Sequence, residues 1–186
     1  MMNATMWLPI RQKRFTFETR RSGGVAHGYR ADQKRRRIMT EQSAQRRVEL
    51  VEWHRAGTDI RAIRETVFIH EQGVPVDLEW DGLDASCAHV LAWSESGEAI
   101  GTARLQPNGT IGRMAVLKAW RGRGVGRALL QTLLDLAVRQ GLPRVTLSAQ
   151  IHALGFYERA GFHVIGEPFM DAGIPHRKMV KELTMP

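Results

Sequence analysis

The chain is poor in several things, and each shortage excludes something. Cys87 is its single cysteine among 186 residues. One cysteine cannot close an internal disulfide, and such sparing use fits a reducing compartment, so a cytoplasmic protein is expected. Cys87 stands just before a run that reads as a strand, where it is a small core residue rather than a reactive thiol. No apolar run approaches the roughly 18–20 residues of a membrane-spanning helix, so no membrane partner is expected. No group of histidines, cysteines and carboxylates has metal-ligand spacing, and no metal is expected. No motif pairs a nucleophile with a base. Residues 39–186 contain no repeat and no low-complexity segment.

Acidic residues are scarce at one end. Residues 1–38 hold ten lysines and arginines against Glu18 and Asp32, which accounts for the whole net charge of +8. The remainder, 39–186, carries seventeen basic and seventeen acidic residues and is neutral. Residues 1–38 show no sustained hydrophobic period and read as a basic, disordered N-terminal extension ahead of one domain, 39–186. The extension could serve as an arm for nucleic acid or a membrane surface. It could be an organelle-targeting segment, although Ser22 is its only serine. It could also be an over-extended start, which is the favoured reading, because Met39-Thr40-Glu41 opens a polar lead into the first strand. The neutral domain argues against nucleic acid as a partner.

What is present is concentrated in residues 111–140. Ile111–Val116 reads as a strand. Arg121-Gly122-Arg123-Gly124-Val125-Gly126 is a glycine-rich turn, and a helix follows with Leu129, Leu133, Leu136 and Ala137 at helical spacing. Gly141 and Pro143 end that helix. A helix start leaves N–H groups unpaired and carries partial positive charge. Glycines keep side chains out of the way, and Arg121, Arg123 and Arg127 add full charge, so the turn suits a phosphate or pyrophosphate. It is not a P-loop, since no Gly-Lys-Ser/Thr follows at the required spacing. A dinucleotide fingerprint needs a third glycine where Arg127 stands.

The turn instead resembles the Arg/Gln-x-x-Gly-x-Gly/Ala signature of the GNAT (GCN5-related) N-acetyltransferases, in which it binds the pyrophosphate of acetyl-CoA. Downstream, the segment from Ala153 to Phe162, with Phe156-Tyr157 and Gly161-Phe162, is similar to the family's A-x-x-F-Y-x-x-x-G-F segment. The resemblance covers about residues 46–183. Within it, the run from Val67 to Pro75 and Gly173-Ile174-Pro175-His176 look like the ElaA/YjcF-like branch. The resemblance implies a single α/β (α+β) domain, with a mixed, largely antiparallel sheet of six or seven strands and helices on both faces. It implies acetyl transfer from acetyl-CoA directly to a primary amine, on a small molecule or a peptide. It implies that Met114, Ala115 and Val116 pair with pantetheine where the sheet splays, with a backbone N–H near Ala115 or Val116 facing the thioester oxygen. Tyr157 stands at the family's general-acid position. Gln150 stands near the place where many relatives carry an asparagine, and would bind acetyl-CoA or a structural water. Glu71 is the first candidate for the base, with His152 and His176 also near the reaction side. Proteins that look like this are often homodimers. The competing readings are a CoA-binding module without catalysis and a nucleic-acid-associated protein anchored by the basic extension.

The remaining elements are read from pattern. The first strand is expected at about Arg46–Trp53. A helix capped by Thr58 or Asp59 should carry Ile60, Ile63, Val67 and Phe68 inward and end at Gly73 and Pro75. Strands are expected at Ala88–Trp93, Ala99–Leu105, Thr110–Val116, Arg144–Ala149, Phe162–Glu167 and Arg177–Leu183, with a short helix at His152–Arg159. Residues 71–84 carry Glu71, Asp77, Glu79, Asp81 and Asp84 with no lysine or arginine. This segment reads either as an acidic mouth attracting a cationic amine or as a solvated loop.

Overall fold

A computed structural model describes residues 46–184. The basic extension and its proposed roles lie outside the described residues. Seven strands form: β1 (Arg46–Val51), β2 (Ala88–Ser94), β3 (Ala99–Leu105), β4 (Ile111–Val116), β5 (Arg144–Gln150), β6 (His163–Asp171) and β7 (Ile174–Glu182). They divide into an antiparallel sheet in the order β1-β2-β3-β4 and a second in the order β5-β7-β6. The two meet at one parallel bridge, Thr110 to Thr146. Beyond that bridge β4 and β5 part.

The four-stranded sheet is covered on both faces, and its sequence shows why. Val90, Leu91 and Ala92 in β2 are all fully buried. Successive strand residues face opposite ways, so an unbroken apolar run needs two covering layers. Val90 and Ala92 join the layer built on α3 (Val125–Arg139), with Val125, Leu129, Leu133 and Ala137. Leu91 joins the layer built on α1 (Trp53–Arg64), with Ile60 and Ile63. Helix α3 ends as its sequence implies: Gly141 has φ +72° and the Leu142 N–H returns to the Ala137 carbonyl.

Several boundaries differ from the sequence expectation: β1 stops at Val51 rather than Trp53, β6 runs on to Asp171 rather than Glu167, and β7 starts at Ile174 rather than Arg177. Helix α1 begins at Trp53 behind Glu52, so Thr58 and Asp59 lie within it rather than at its cap. Burial of Ala56 against the sheet pulls the first turn into the helix. The same helix continues as a π-helical stretch, Glu65–Glu71, before Gly73 turns the chain at φ +70°. A short α2 (Val76–Glu79) follows, and α4 (Leu154–Glu158) precedes β6. Among the described residues no helix is long and apolar enough to cross a membrane.

Candidate active site

The glycine turn folds as its composition demands. Gly122 and Gly124 have φ of +72° and +81°, the left-handed region that side chains resist. Helix α3 starts directly behind them, and its first internal bond runs from the Ala128 N–H to the Gly124 carbonyl at 3.1 Å. The N–H groups of Val125, Gly126 and Arg127 therefore have no acceptor within the helix. The turn borders a groove of about 500 Å³ lined by Arg121, Gly122, Gly124, Val125, Gly126 and Arg127. Leu130, Leu134 and Phe156 supply an apolar wall. Arg123 lies 5.2 Å over the Trp120 ring. Free N–H groups, glycines without Cβ and flanking arginines fit a diphosphate, and the apolar wall fits the rest of a CoA-like group.

Strand β4 runs past the end of this groove. Arg113 and Met114 together stand opposite Ala103, because Arg104 pairs with Gly112 and Thr102 pairs with Ala115. This is a β-bulge, and Arg113 takes its left-handed position at φ +49°. A side chain there costs about 1–2 kcal/mol. The plain strand expected over Thr110–Val116 is thus kinked in its middle. Downstream, the Leu117 N–H bonds the Ile100 carbonyl of β3 at 3.0 Å. Alternation then points the N–H and C=O of Val116 the other way, into the gap toward β5. The Val116 carbonyl receives Arg121 Nε at 2.9 Å. Its N–H faces the same gap.

A second cavity, about 420 Å³, lies on the other side of this strand end and shares Val116 and Arg121 with the groove. Met114, Ala115, Gln150, His152, Tyr157 and His176 all line it. Burial pushes the Tyr157 phenol up to about 12. Its hydroxyl lies 3.7 Å from Met114 Sδ. His176 is buried, with Nδ1 2.8 Å from the Ile174 carbonyl. A carbonyl only accepts, so Nδ1 carries a hydrogen, and in the neutral ring the lone pair is then on Nε2. The Phe169 ring stacks on the imidazole at 5.9 Å between centroids. Gln150 donates to the Gln72 side chain at 3.0 Å, tying β5 to the end of the π-helical stretch.

Glu71 is engaged differently. Its two carboxylate oxygens accept from Arg121 Nη1 and Nη2 at 2.5 and 2.7 Å. The hydrogen bonds from Arg121 hold its carboxyl below the usual carboxylate range. That is the reverse of what a proton acceptor near neutral pH needs.

The acidic segment is not an open negative mouth. Glu79 and Asp84 are buried. Arg64, itself fully buried, donates to Glu79 at 2.5 Å and to Asp84 at 2.7 Å. Arg104 donates to Asp84 at 2.9 Å and forks onto Asp81 at 2.8 and 2.5 Å. Arg113 reaches the Leu78 carbonyl at 3.0 Å and Asp81 at 3.2 Å. The arginines that balance the segment come from α1, β3 and β4, outside the window in which the sequence shows none. Desolvation raises the Glu79 carboxyl, while hydrogen bonds from Arg104 hold Asp81 well below the usual carboxylate range. One sequence signal pointed here: Arg104 sits within the apolar strand Ala99–Leu105, and a buried arginine requires acidic partners.

Comparison with known proteins agrees with this geometry. The acetyltransferase (GNAT) domain profile matches residues 58–183. The uncharacterized N-acetyltransferase YjcF of Bacillus subtilis is 37% identical over 123 residues, covering 64% of this chain and 88% of that protein. Among solved structures, an acyl-CoA N-acyltransferase from Pseudomonas aeruginosa superposes with a TM-score of 0.66 at 31% identity, covering 73% of this chain and 99% of that one. Escherichia coli ElaA superposes with a TM-score of 0.66 at 28% identity, covering 74% and 99%. With both sequence motifs, the divided sheet and these relatives in agreement, the chain belongs to the GNAT acetyltransferase family, in the branch that includes ElaA and YjcF, and is an acyltransferase.

Proposed function

We propose that the chain transfers an acetyl group from acetyl-CoA directly to a primary amine of a small molecule or peptide. The observation that carries this reading is the junction of the groove and the polar cavity at Val116 and Arg121, with Tyr157 and His176 on the cavity side. Acetyl-CoA supplies the acyl group already activated as a thioester.

The α3 N-terminus and the glycines of the turn hold the diphosphate, with Arg121, Arg123 and Arg127 around it. The gap-side backbone of β4 pairs with the pantetheine amides. The Val116 N–H donates to the thioester oxygen as negative charge grows there; one such donor is worth roughly 3–4 kcal/mol in other enzymes. His176 Nε2 takes a proton from the attacking amine as the new C–N bond forms and the C–S bond breaks. Tyr157 donates a hydrogen bond to the departing sulfur. A phenol near 12 is a weaker acid than a thiol near 8.5, so Tyr157 stabilises the thiolate rather than surrendering its proton outright. Glu71 orients Arg121 instead of acting as the base. The single cysteine supports a cytoplasmic location.

The test is thiol release from acetyl-CoA against a panel of primary amines, with His176→Asn in parallel. Amine-dependent release that drops about a hundredfold in the variant supports the assignment. Binding of acetyl-CoA with no release on any amine would favour a non-catalytic CoA-binding module.

A further inference from the structure

We infer that Arg113 is a positioning residue: its guanidinium clamps the β4 bulge to the acceptor wall and so sets which backbone N–H faces the cofactor gap. The inference rests on the reading of Val116 as the donor to the thioester oxygen.

The bulge decides the parity of everything after it. With Arg113 and Met114 both opposite Ala103, Val116 stands opposite Gly101 and its polar groups face the gap. Without the extra residue, Val116 would stand opposite Ile100. Its N–H would then turn into the four-stranded sheet and the Ala115 side chain would leave the α1 layer. A bulge with a left-handed first residue is a natural place for glycine, which adopts φ +49° freely. Arginine is strained there, so the surroundings must hold it.

They do so through its side chain. Arg113 Nε donates to the Glu79 carbonyl at 3.2 Å and pairs with Glu79 Oε2 at 3.2 Å. Nη2 donates to the Leu78 carbonyl at 3.0 Å and to Asp81 Oδ2 at 3.2 Å. These partners are fixed from behind. Arg64 donates to both the carboxylate and the carbonyl of Glu79, and Arg104 forks onto Asp81. The strained backbone is therefore tied to a buried ionic cluster, and the 78–81 segment that walls the acceptor cavity also sets the reacting strand. A solvated arginine would need neither a left-handed backbone nor four separate attachments.

The test uses the full chain with Arg113→Gly, which accepts the left-handed backbone but removes the clamp. Arg113→Lys keeps charge without the fork, and Asp81→Asn weakens the far end. Three quantities are read: kcat for thiol release, the affinity for acetyl-CoA, and amide hydrogen exchange across 111–117. The expected result for Arg113→Gly is a kcat at least about tenfold lower, acetyl-CoA affinity within roughly threefold, and faster exchange confined to the bulge and Val116. Arg113→Lys and Asp81→Asn should fall between it and the wild type. A kcat and exchange pattern unchanged in Arg113→Gly would overturn the clamp. Parallel loss of kcat, acetyl-CoA affinity and thermal stability in all three variants would also overturn it, by reducing Arg113 to a structural residue. If the wild type transfers acetyl to no amine, the proposed function fails. The exchange measurement still decides the clamp, since unchanged exchange at 113–116 in Arg113→Gly rejects it.

Discussion

Glu71 and Arg121 form a two-toothed ion pair, with oxygen-to-nitrogen distances of 2.5 and 2.7 Å, across fifty positions of sequence. Arg121 opens the glycine turn and also caps the Val116 carbonyl, so Glu71 acts on the end of β4 through it. Exposed ion pairs contribute little to stability, about 0–1 kcal/mol, so the consequence of this one is geometric.

Glu71→Gln should therefore lower kcat/KM about tenfold, the equivalent of one charge-assisted hydrogen bond, and leave the midpoint of the pH profile in place. Hydrogen bonding from Arg121 depresses the Glu71 pKa, so the carboxylate is charged across neutral pH. The pair is lost only as pH falls through that lowered value. Disappearance of the acidic limb in Glu71→Gln would instead make Glu71 the base.

Tyr157→Phe would remove the hydrogen bond proposed to the leaving sulfur while keeping the ring. The phenol packs edge-on against Phe156 and Phe162, with centroids 4.9 and 6.0 Å away, and those contacts survive. Steady-state kinetics should show kcat down about a hundredfold with KM for acetyl-CoA nearly unchanged. Burial raises the phenol, so an alkaline limb near pH 9 in the wild type is expected to come from another group.

The last two glycines of the turn should answer alanine differently. Gly124→Ala forces a Cβ onto φ +81° and should cost about 1–2 kcal/mol of stability together with acetyl-CoA affinity. At Gly126 an added Cβ meets Met114 Cε at 3.5 Å and Phe156 Cζ at 3.6 Å, ordinary contact distances. Gly126→Ala lies inside α3 and should gain up to about 1 kcal/mol. Thermal denaturation and calorimetric titration with acetyl-CoA would check both.

Arg64→Met should be strongly destabilising, by about 3–5 kcal/mol, because Glu79 and Asp84 would stay buried with the Arg64 guanidinium gone, Glu79 keeping only Arg113 and Asp84 only Arg104 as arginine partners. The acid limb of stability follows from the same cluster. Asp81 is held low by Arg104; Asp84 is held low by Arg64 and Arg104 against the opposing effect of burial. Their stabilisation is present above the ordinary aspartate range and drains away as pH falls through the depressed folded values. Desolvation raises Glu79, which works in the opposite sense. Urea midpoints at pH 7 and pH 3 should converge in Asp81→Asn relative to the wild type; an undiminished difference would exclude Asp81 from the acid response.

Much of the fold was legible because its signals are local. The strand, turn and helix over 111–140 depend on apolar period, on glycines at left-handed positions and on the Gly141 stop, all within thirty residues. The same locality makes the glycine-rich turn readable, since its donors belong to consecutive residues. The start of helix α1 is not legible for the complementary reason: Ala56 is held in the helix by packing against a sheet that no neighbouring residue announces.

Residue order alone carries the family, the glycine-rich turn ahead of α3, the order of strands and helices, and the motif that holds Tyr157. Only the tertiary structure decided what the charges do. Arg64, Arg104 and Arg113 reach the acidic segment from 15 to 35 residues away, and they turn an apparent negative mouth into a neutral cluster. It also decided that Glu71 faces Arg121, that His176 Nδ1 faces the Ile174 carbonyl, and that an arginine occupies the left-handed position of β4. Backbone conformation is written into neighbouring residues by sterics, whereas the partner of a charge is chosen by whichever distant chain the fold brings within about 3 Å, at the low dielectric where that choice matters most.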